Sequence, residues 1–179
     1  MKNVYLASLL FLAFCTFILP GAPQVQEPVV QPAVNLGTEI QNAIILAPHY
    51  GVFDSLSYRL DGNNVTLLGQ VLLPITKEEI SRRVANLAGV GKVSNEIKAL
   101  PLSRSDDALR LQVYRRVFGT ADLYRYALGP TPSIHIIVNG GHVMLEGVVS
   151  NEGDSRFAFL AARKVNDVFS VTNNLTVQK

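Results

Sequence analysis

The chain has 179 residues, of which 17% are charged, with 16 lysines and arginines against 14 aspartates and glutamates and a formal net charge of +2. That balance excludes a nucleic-acid polycation. Its one cysteine, Cys15, lies in an apolar N-terminal run, so the rest of the chain has no disulfide and no thiolate metal site.

Residues 1–22 read as an export signal or an N-terminal anchor. Met1-Lys2-Asn3 precedes an uncharged run from Val4 to Leu19, closed by Pro20 and Gly21, a pattern that resembles a secretory leader. A bilayer span takes roughly 17 to 25 apolar residues, so retention as an anchor through residues 4–19 stands beside cleavage, the preferred reading. Phe14 is bulky where a lipoprotein box before Cys15 needs a small residue. Either reading exports the protein to the periplasm or cell envelope. Removing Lys2 with the leader leaves 15 basic against 14 acidic residues, a net of +1, so attraction to an anionic surface has to come from local clusters of arginine. Residues 23–35 form a proline-rich linker, extended in character.

The first folded unit spans 36–101. Leu36, Ile40 and Ile44 recur at helical spacing before Pro48, with Asn35 or Thr38 as cap. Leu56, Tyr58 and Leu60, the turn Asp61-Gly62-Asn63-Asn64, and Val65, Leu67, Gly69 and Val71 then make a β-hairpin. After Pro74, Thr76 precedes Lys77-Glu78-Glu79 and the face Ile80, Val84, Leu87, which predicts a helix with an acidic first turn. Lys92 to Ala99 alternates as a third strand.

The second unit, 105–179, repeats that order. Asp106 and Asp107 open a helix running to about Phe118, Ser133–Val138 and Val143–Val149 flank a glycine turn, Ala158, Ala162 and Val165 face inward on a helix, and Ser170–Gln178 is the last strand. The loop from Gly119 to Pro132 is longer than its counterpart from Pro48 to Val52, and Pro130 and Pro132 predict an extended return to the sheet. Shifted by 78 positions, residues 53–99 lie on 131–177 without a gap: Gly62 meets Gly140, Leu67 meets Leu145, Gly69 meets Gly147 and Asn95 meets Asn173. What recurs is turn glycines and core residues, so the repeat speaks for fold. The fold class is α+β: two tandem α-β-β-α-β units, each a small three-stranded mixed sheet covered by two helices.

The segments Asn64-Val65-Thr66-Leu67-Leu68-Gly69-Gln70-Val71 with Val90-Gly91-Lys92-Val93-Ser94-Asn95, and Val143-Met144-Leu145-Glu146-Gly147-Val148-Val149 with Val168-Phe169-Ser170-Val171-Thr172-Asn173, resemble paired BON (bacterial osmotic-shock and nodulation) domains. The resemblance covers about residues 36 to 179. It implies an exported, doubled module that binds phospholipid and supports envelope integrity or stress tolerance. Phe169, where the first copy has Gly91, departs from the pattern.

Chemical groups do not recur between the copies. His49, His135 and His142 are too differently placed for a metal site, no nucleophile triad has its spacing, and Gly89-Val90-Gly91-Lys92 ends a helix, the reverse of a phosphate loop. The expectation is no enzyme, no cofactor and no metal. Gly62 and Gly140 are turn residues suited to positive φ. Gly69 and Gly147, inside strands, mark a bulge or a close approach, expected here from the helix passing over them.

One element has more apolar surface than its unit needs. On the helix from Asp106, Leu109, Val113 and Val117 form the inward stripe, while Leu111, Tyr114 and Phe118 form a second stripe nearly opposite, flanked by Arg110 and Arg115. Two partners satisfy it. Arginines on lipid phosphates with shallow insertion of Leu111, Tyr114 and Phe118 would bind an anionic phospholipid surface; alternatively the stripe packs on the first unit, on an envelope protein, or on a second copy in self-association. Both stay open at the level of sequence.

Overall fold

The computed structural model describes residues 35–129 and 131–178; the readings of residues 1–22, Cys15 and the linker up to residue 34 lie outside them. Ala33–Lys179 form one compact unit. Its first half runs α1 (Leu36–Ile45), β1 (Ser55–Asp61), β2 (Asn64–Val71), α2 (Pro74–Ala85), β3 (Val93–Asn95) and β4 (Lys98–Ala99). The second half runs α3 (Arg104–Phe118), α4 (Ala121–Tyr124), a 3-10 turn (Arg125–Ala127), β5 (Ile134–Asn139), β6 (His142–Val149), α5 (Glu152–Arg163) and β7 (Ser170–Val177). In each half a hairpin is antiparallel and the strand after the crossover helix joins its second strand in parallel. The architecture is α+β with two small mixed sheets. Among the described residues no helix is long and apolar enough to cross a membrane.

Local chemistry sets the boundaries. The Asn35 side chain accepts the Gly37 amide at 2.9 Å and caps α1, which buries Ile40 and Ile44. Helix α2 begins at Pro74, two residues before the expected Thr76, because proline at the first helical position gives up an amide that has no partner there. Glu78 and Glu79 therefore fall beyond the first turn. Thr76 is buried instead, its hydroxyl donating to the His49 carbonyl at 3.3 Å.

Asparagine recurs for a physical reason. The Asn95 amide donates to the Lys77 carbonyl at 3.3 Å while its oxygen accepts the Ile97 amide at 3.2 Å. Asn173 does the same with the Ser155 carbonyl and the Leu175 amide, each at 3.3 Å. Each asparagine thus ties the last strand to the start of the crossover helix. In the first half the expected single strand breaks there into β3 and β4, whereas β7 runs through.

Two cores result. Ile40, Ile44, Val65, Leu67, Val71, Ile80, Val84 and Ile97 close the first, and Leu109, Val113, Val117, Ile134, Ile136, Val138, Leu145, Ala158 and Ala162 the second. Each buried aliphatic side chain of the size of valine or leucine contributes about 1.5–3 kcal/mol. At the positions of Ile80 and Val84 the second half has Ala158 and Ala162. The long loop supplies the missing volume: its first part folds as α4 and the 3-10 turn, placing Leu123 and Tyr126 in that core.

Gly62 and Gly140 take the expected left-handed φ of 56° and 59°. Gly69 and Gly147 have φ of 118° and 115°, and a Cβ there would stand 2.1 Å from the carbonyl oxygens of Ser55 and Ser133. The close approach comes from the backbone of the partner strand, not from the helix. Gly147→Ala should lower the unfolding free energy by about 2 kcal/mol or more in urea titrations, whereas Gly140→Asn should cost under about 1 kcal/mol because asparagine tolerates that turn conformation.

Candidate functional site

Helix α3 is capped by Ser103, whose hydroxyl accepts the Asp106 amide at 3.2 Å. Its inward stripe of Leu109, Val113 and Val117 is buried as its spacing requires. The second stripe divides. Phe118 is 5% exposed and belongs to the core, because the chain turns back after Gly119 and α4 brings Leu123 into the same cluster. Arg110 is 2% exposed: its guanidinium donates to the Val138 carbonyl at 2.7 Å and to the Asp107 carboxylate at 2.5 Å. The expected exposure of Arg110 and Phe118 is thereby corrected; one covers the open edge of β5 and the other packs the core. Tyr114 is half-buried, its ring centroid 4.9 Å from Phe118 and 6.2 Å, edge-on, from Phe53 of the first domain. Leu111, 50% exposed, and Arg115 alone remain at the surface.

Phe53 belongs to a segment that sequence reasoning missed. Residues 50–54 leave the first sheet and lie along β5: the Ile136 amide donates to the Val52 carbonyl at 2.7 Å, His135 Nδ1 meets the Gly51 carbonyl at 3.2 Å, and Tyr50 stands 5.4 Å from the His135 ring. Nearby, the Thr131 hydroxyl donates to the Ile45 carbonyl at 2.9 Å. Asp54 shapes the segment, its carboxylate accepting the Gly51 amide at 2.8 Å and the Leu72 amide at 2.6 Å. Burial raises its pKa above the ordinary value, opposed by those amides and by the charge of Arg110. Both oxygens are committed to backbone, which is a structural use of a carboxylate. The signal available in the sequence was the apolar pair Val52-Phe53 just before a strand.

The histidines lie apart, His49 on Glu79, His135 on Gly51 and His142 on Ser170. Among the described residues no group of three or more His, Cys, Asp or Glu converges as a metal site. Between the open faces of the two sheets lies a cleft of about 630 Å³ whose wall includes Gln70, His135, Met144, Glu146 and Asn174. Its most suggestive polar groups bond to protein already, Asn174 donating to Glu146 at 2.8 Å.

The buried acids of the second domain, Asp106 and Asp154, are likewise engaged. Asp106 accepts the Gly140 and Gly141 amides at 2.8 and 2.9 Å, holding the hairpin turn. Asp154 accepts Arg125, the Tyr126 hydroxyl at 2.5 Å and the Asn151 amide at 2.9 Å. Arg115 and Arg116, by contrast, are exposed and form no ion pair among the described residues. What the site can do chemically is therefore to offer cations beside apolar surface.

The seam carries a pH dependence. Burial pushes His135 below the ordinary imidazole value of 6.5. Below that value the unfolded chain takes up a proton that the folded seam resists, so stability is fully present above it and is lost as pH falls through the depressed folded value. The urea midpoint should drop between about pH 7 and 5, and His135→Gln should flatten that slope; an unchanged slope would assign it elsewhere.

The family model described as BON domain matches twice, over residues 35–101 and 105–179. No curated protein matches the chain. Among solved structures, it is similar to the C-terminal domain of CdsD, the structural protein of the type III secretion system of Chlamydia trachomatis, at 14% identity, over 82% of this chain and 98% of that one, with a TM-score of 0.30. A second CdsD structure from Chlamydia trachomatis matches at 13% identity, over 79% of this chain and 91% of that one, with a TM-score of 0.28.

Proposed function

The chain belongs to the BON domain family, and on that premise we propose that it is a non-catalytic cell-envelope protein whose second domain associates with the anionic phospholipid surface. The observation that carries this reading is the unpaired Arg115 and Arg116 at the end of α3, next to exposed Leu111, in a domain whose buried acids are hydrogen-bonded internally. At matching places on α1 the first domain has Asn42 and Ala43. Near an anionic leaflet each arginine contributes about 1 kcal/mol, within a Debye length of roughly 8–10 Å. Arg110, Tyr114 and Phe118 act here as positioning residues that fix the helix. The leader read over residues 1–22 supports export to the periplasm, where such a domain supports envelope integrity or stress tolerance.

A second reading rests on β7. Among the described residues this eight-residue strand pairs on one side only, and its sequence Ser-Val-Thr-Asn-Asn-Leu-Thr-Val has no charge to blunt the other edge. Strand addition by an envelope protein, or self-association, would use it. The test is co-sedimentation of Ala33–Lys179, which closes both cores within itself. It should pellet with vesicles containing phosphatidylglycerol and not with pure phosphatidylcholine, less so as salt rises. Arg115→Glu with Arg116→Glu should weaken binding about tenfold or more with an unchanged thermal melt. Absence of pelleting with both vesicles would turn the proposal to the β7 edge.

A further inference from the structure

The two copies are each other's control, because one scaffold carries two different surfaces. On the crossover helix of the second domain, Ala158 and Ala162 are buried, while Arg156, Phe157, Leu160, Arg163 and Lys164 point outward. Phe157 is 55% exposed and Leu160 43%. The positions 78 residues earlier on α2 and its end hold Glu78, Glu79, Arg82, Ala85 and Asn86. Glu79, where the second domain has Phe157, bonds His49 at 2.9 Å and Arg83 at 3.4 Å. The first domain thus closes this face with its own ion pairs, and the second leaves it basic and apolar.

The neighbouring grooves differ in the same sense. Between α1 and α2 a groove of about 380 Å³ has apolar walls in Ala43, Leu46 and Leu87, but its charges, Glu39 and Arg83, are of opposite sign. Between α3 and α5 a groove of about 510 Å³ is lined by Arg115, Arg116, Phe157, Leu160 and Lys164, with Asp122 the one acid. Helix-dipole preference accounts for basic residues in the last turns of α3 and α5. It does not account for a phenylalanine and a leucine between them that leave about half of their surface in water.

We propose that the α3–α5 groove is the site at which the protein meets the bilayer: Arg115, Arg116 and Lys164 hold lipid phosphates, and Phe157 and Leu160 enter the headgroup layer. The inference rests on the phospholipid reading above and adds α5 as the helix that inserts. The occupant is an anionic lipid surface because the groove combines a cluster of cations with apolar side chains aligned along one helix face, the pattern of an interfacial helix.

Phe157→Trp supplies the test, since the natural chain has no tryptophan. On vesicles of phosphatidylcholine with phosphatidylglycerol, its emission should shift to the blue and be quenched by brominated acyl chains, and on phosphatidylcholine alone it should not. Phe157→Ser with Leu160→Ser, both at exposed positions, should keep the melting temperature and lose about tenfold in affinity for the anionic vesicles. The inference is overturned if the parent unit binds while the tryptophan stays unshifted and the double variant binds equally well; the phospholipid reading then survives through α3 alone. If the parent binds neither vesicle, both fall together.

Discussion

The arrangement depends on how the outer edge of β5 is covered. A hairpin strand leaves one row of amides and carbonyls unpaired, and a buried row of that kind is costly. Here Val52 of the first domain accepts the Ile136 amide and Arg110 of the second donates to the Val138 carbonyl. The two caps come from different domains. With Phe53 seated against Tyr114, the segment 50–54 does the work of an added strand and fixes the domains as one body. Asp54 makes that segment stiff enough to dock, at the cost of a desolvated carboxylate that its two amides only partly offset.

Duplication has preserved the frame and moved the volume. In the first domain the crossover helix brings Ile80 and Val84 to the sheet; in the second it brings alanines, and the strand opposite has Ile134 and Ile136 where the first has Leu56 and Tyr58. The remaining gap is filled from the chain itself by Leu123 and Tyr126. Tyr126 could be buried only because its hydroxyl finds partners, donating to Asp154 and accepting the Ser150 amide at 2.8 Å. A longer loop and a smaller helix face are therefore one change rather than two.

That compensation explains which features were legible beforehand. Elements whose identity depends on neighbours in sequence, such as the hairpins with Gly62 and Gly140 or the stripe Leu109, Val113, Val117, follow from periodicity and turn chemistry alone. Phe118 does not, because on an isolated helix it faces away from the core; it is buried by residues that come after it and reverse direction. Arg110 misleads similarly, since a guanidinium next to an apolar stripe looks like a headgroup ligand until the unpaired β5 carbonyl is known. The outward face of α5 was open to view throughout: setting residues 156–164 against 78–86 shows glutamates giving way to phenylalanine and arginine. The inward spacing of Ala158, Ala162 and Val165 sets which side of the helix those residues occupy, and Ala158 and Ala162 are buried as it requires.

The same comparison bears on cost. An exposed Phe157 is tolerated by the fold but not required by it, for Glu79 occupies the same place in the first copy and forms ion pairs there. Packing thus gives no reason for the apolar residue, whereas for Gly147 or Asn173 packing gives a complete one. Residues that a duplicated scaffold could replace without loss, and has not, are those for which an explanation must lie outside the chain. A few cations at about 1 kcal/mol each with two shallow apolar side chains make a contact that is weak and reversible. A contact of that strength sets how a domain lies on a surface more than it holds the domain there.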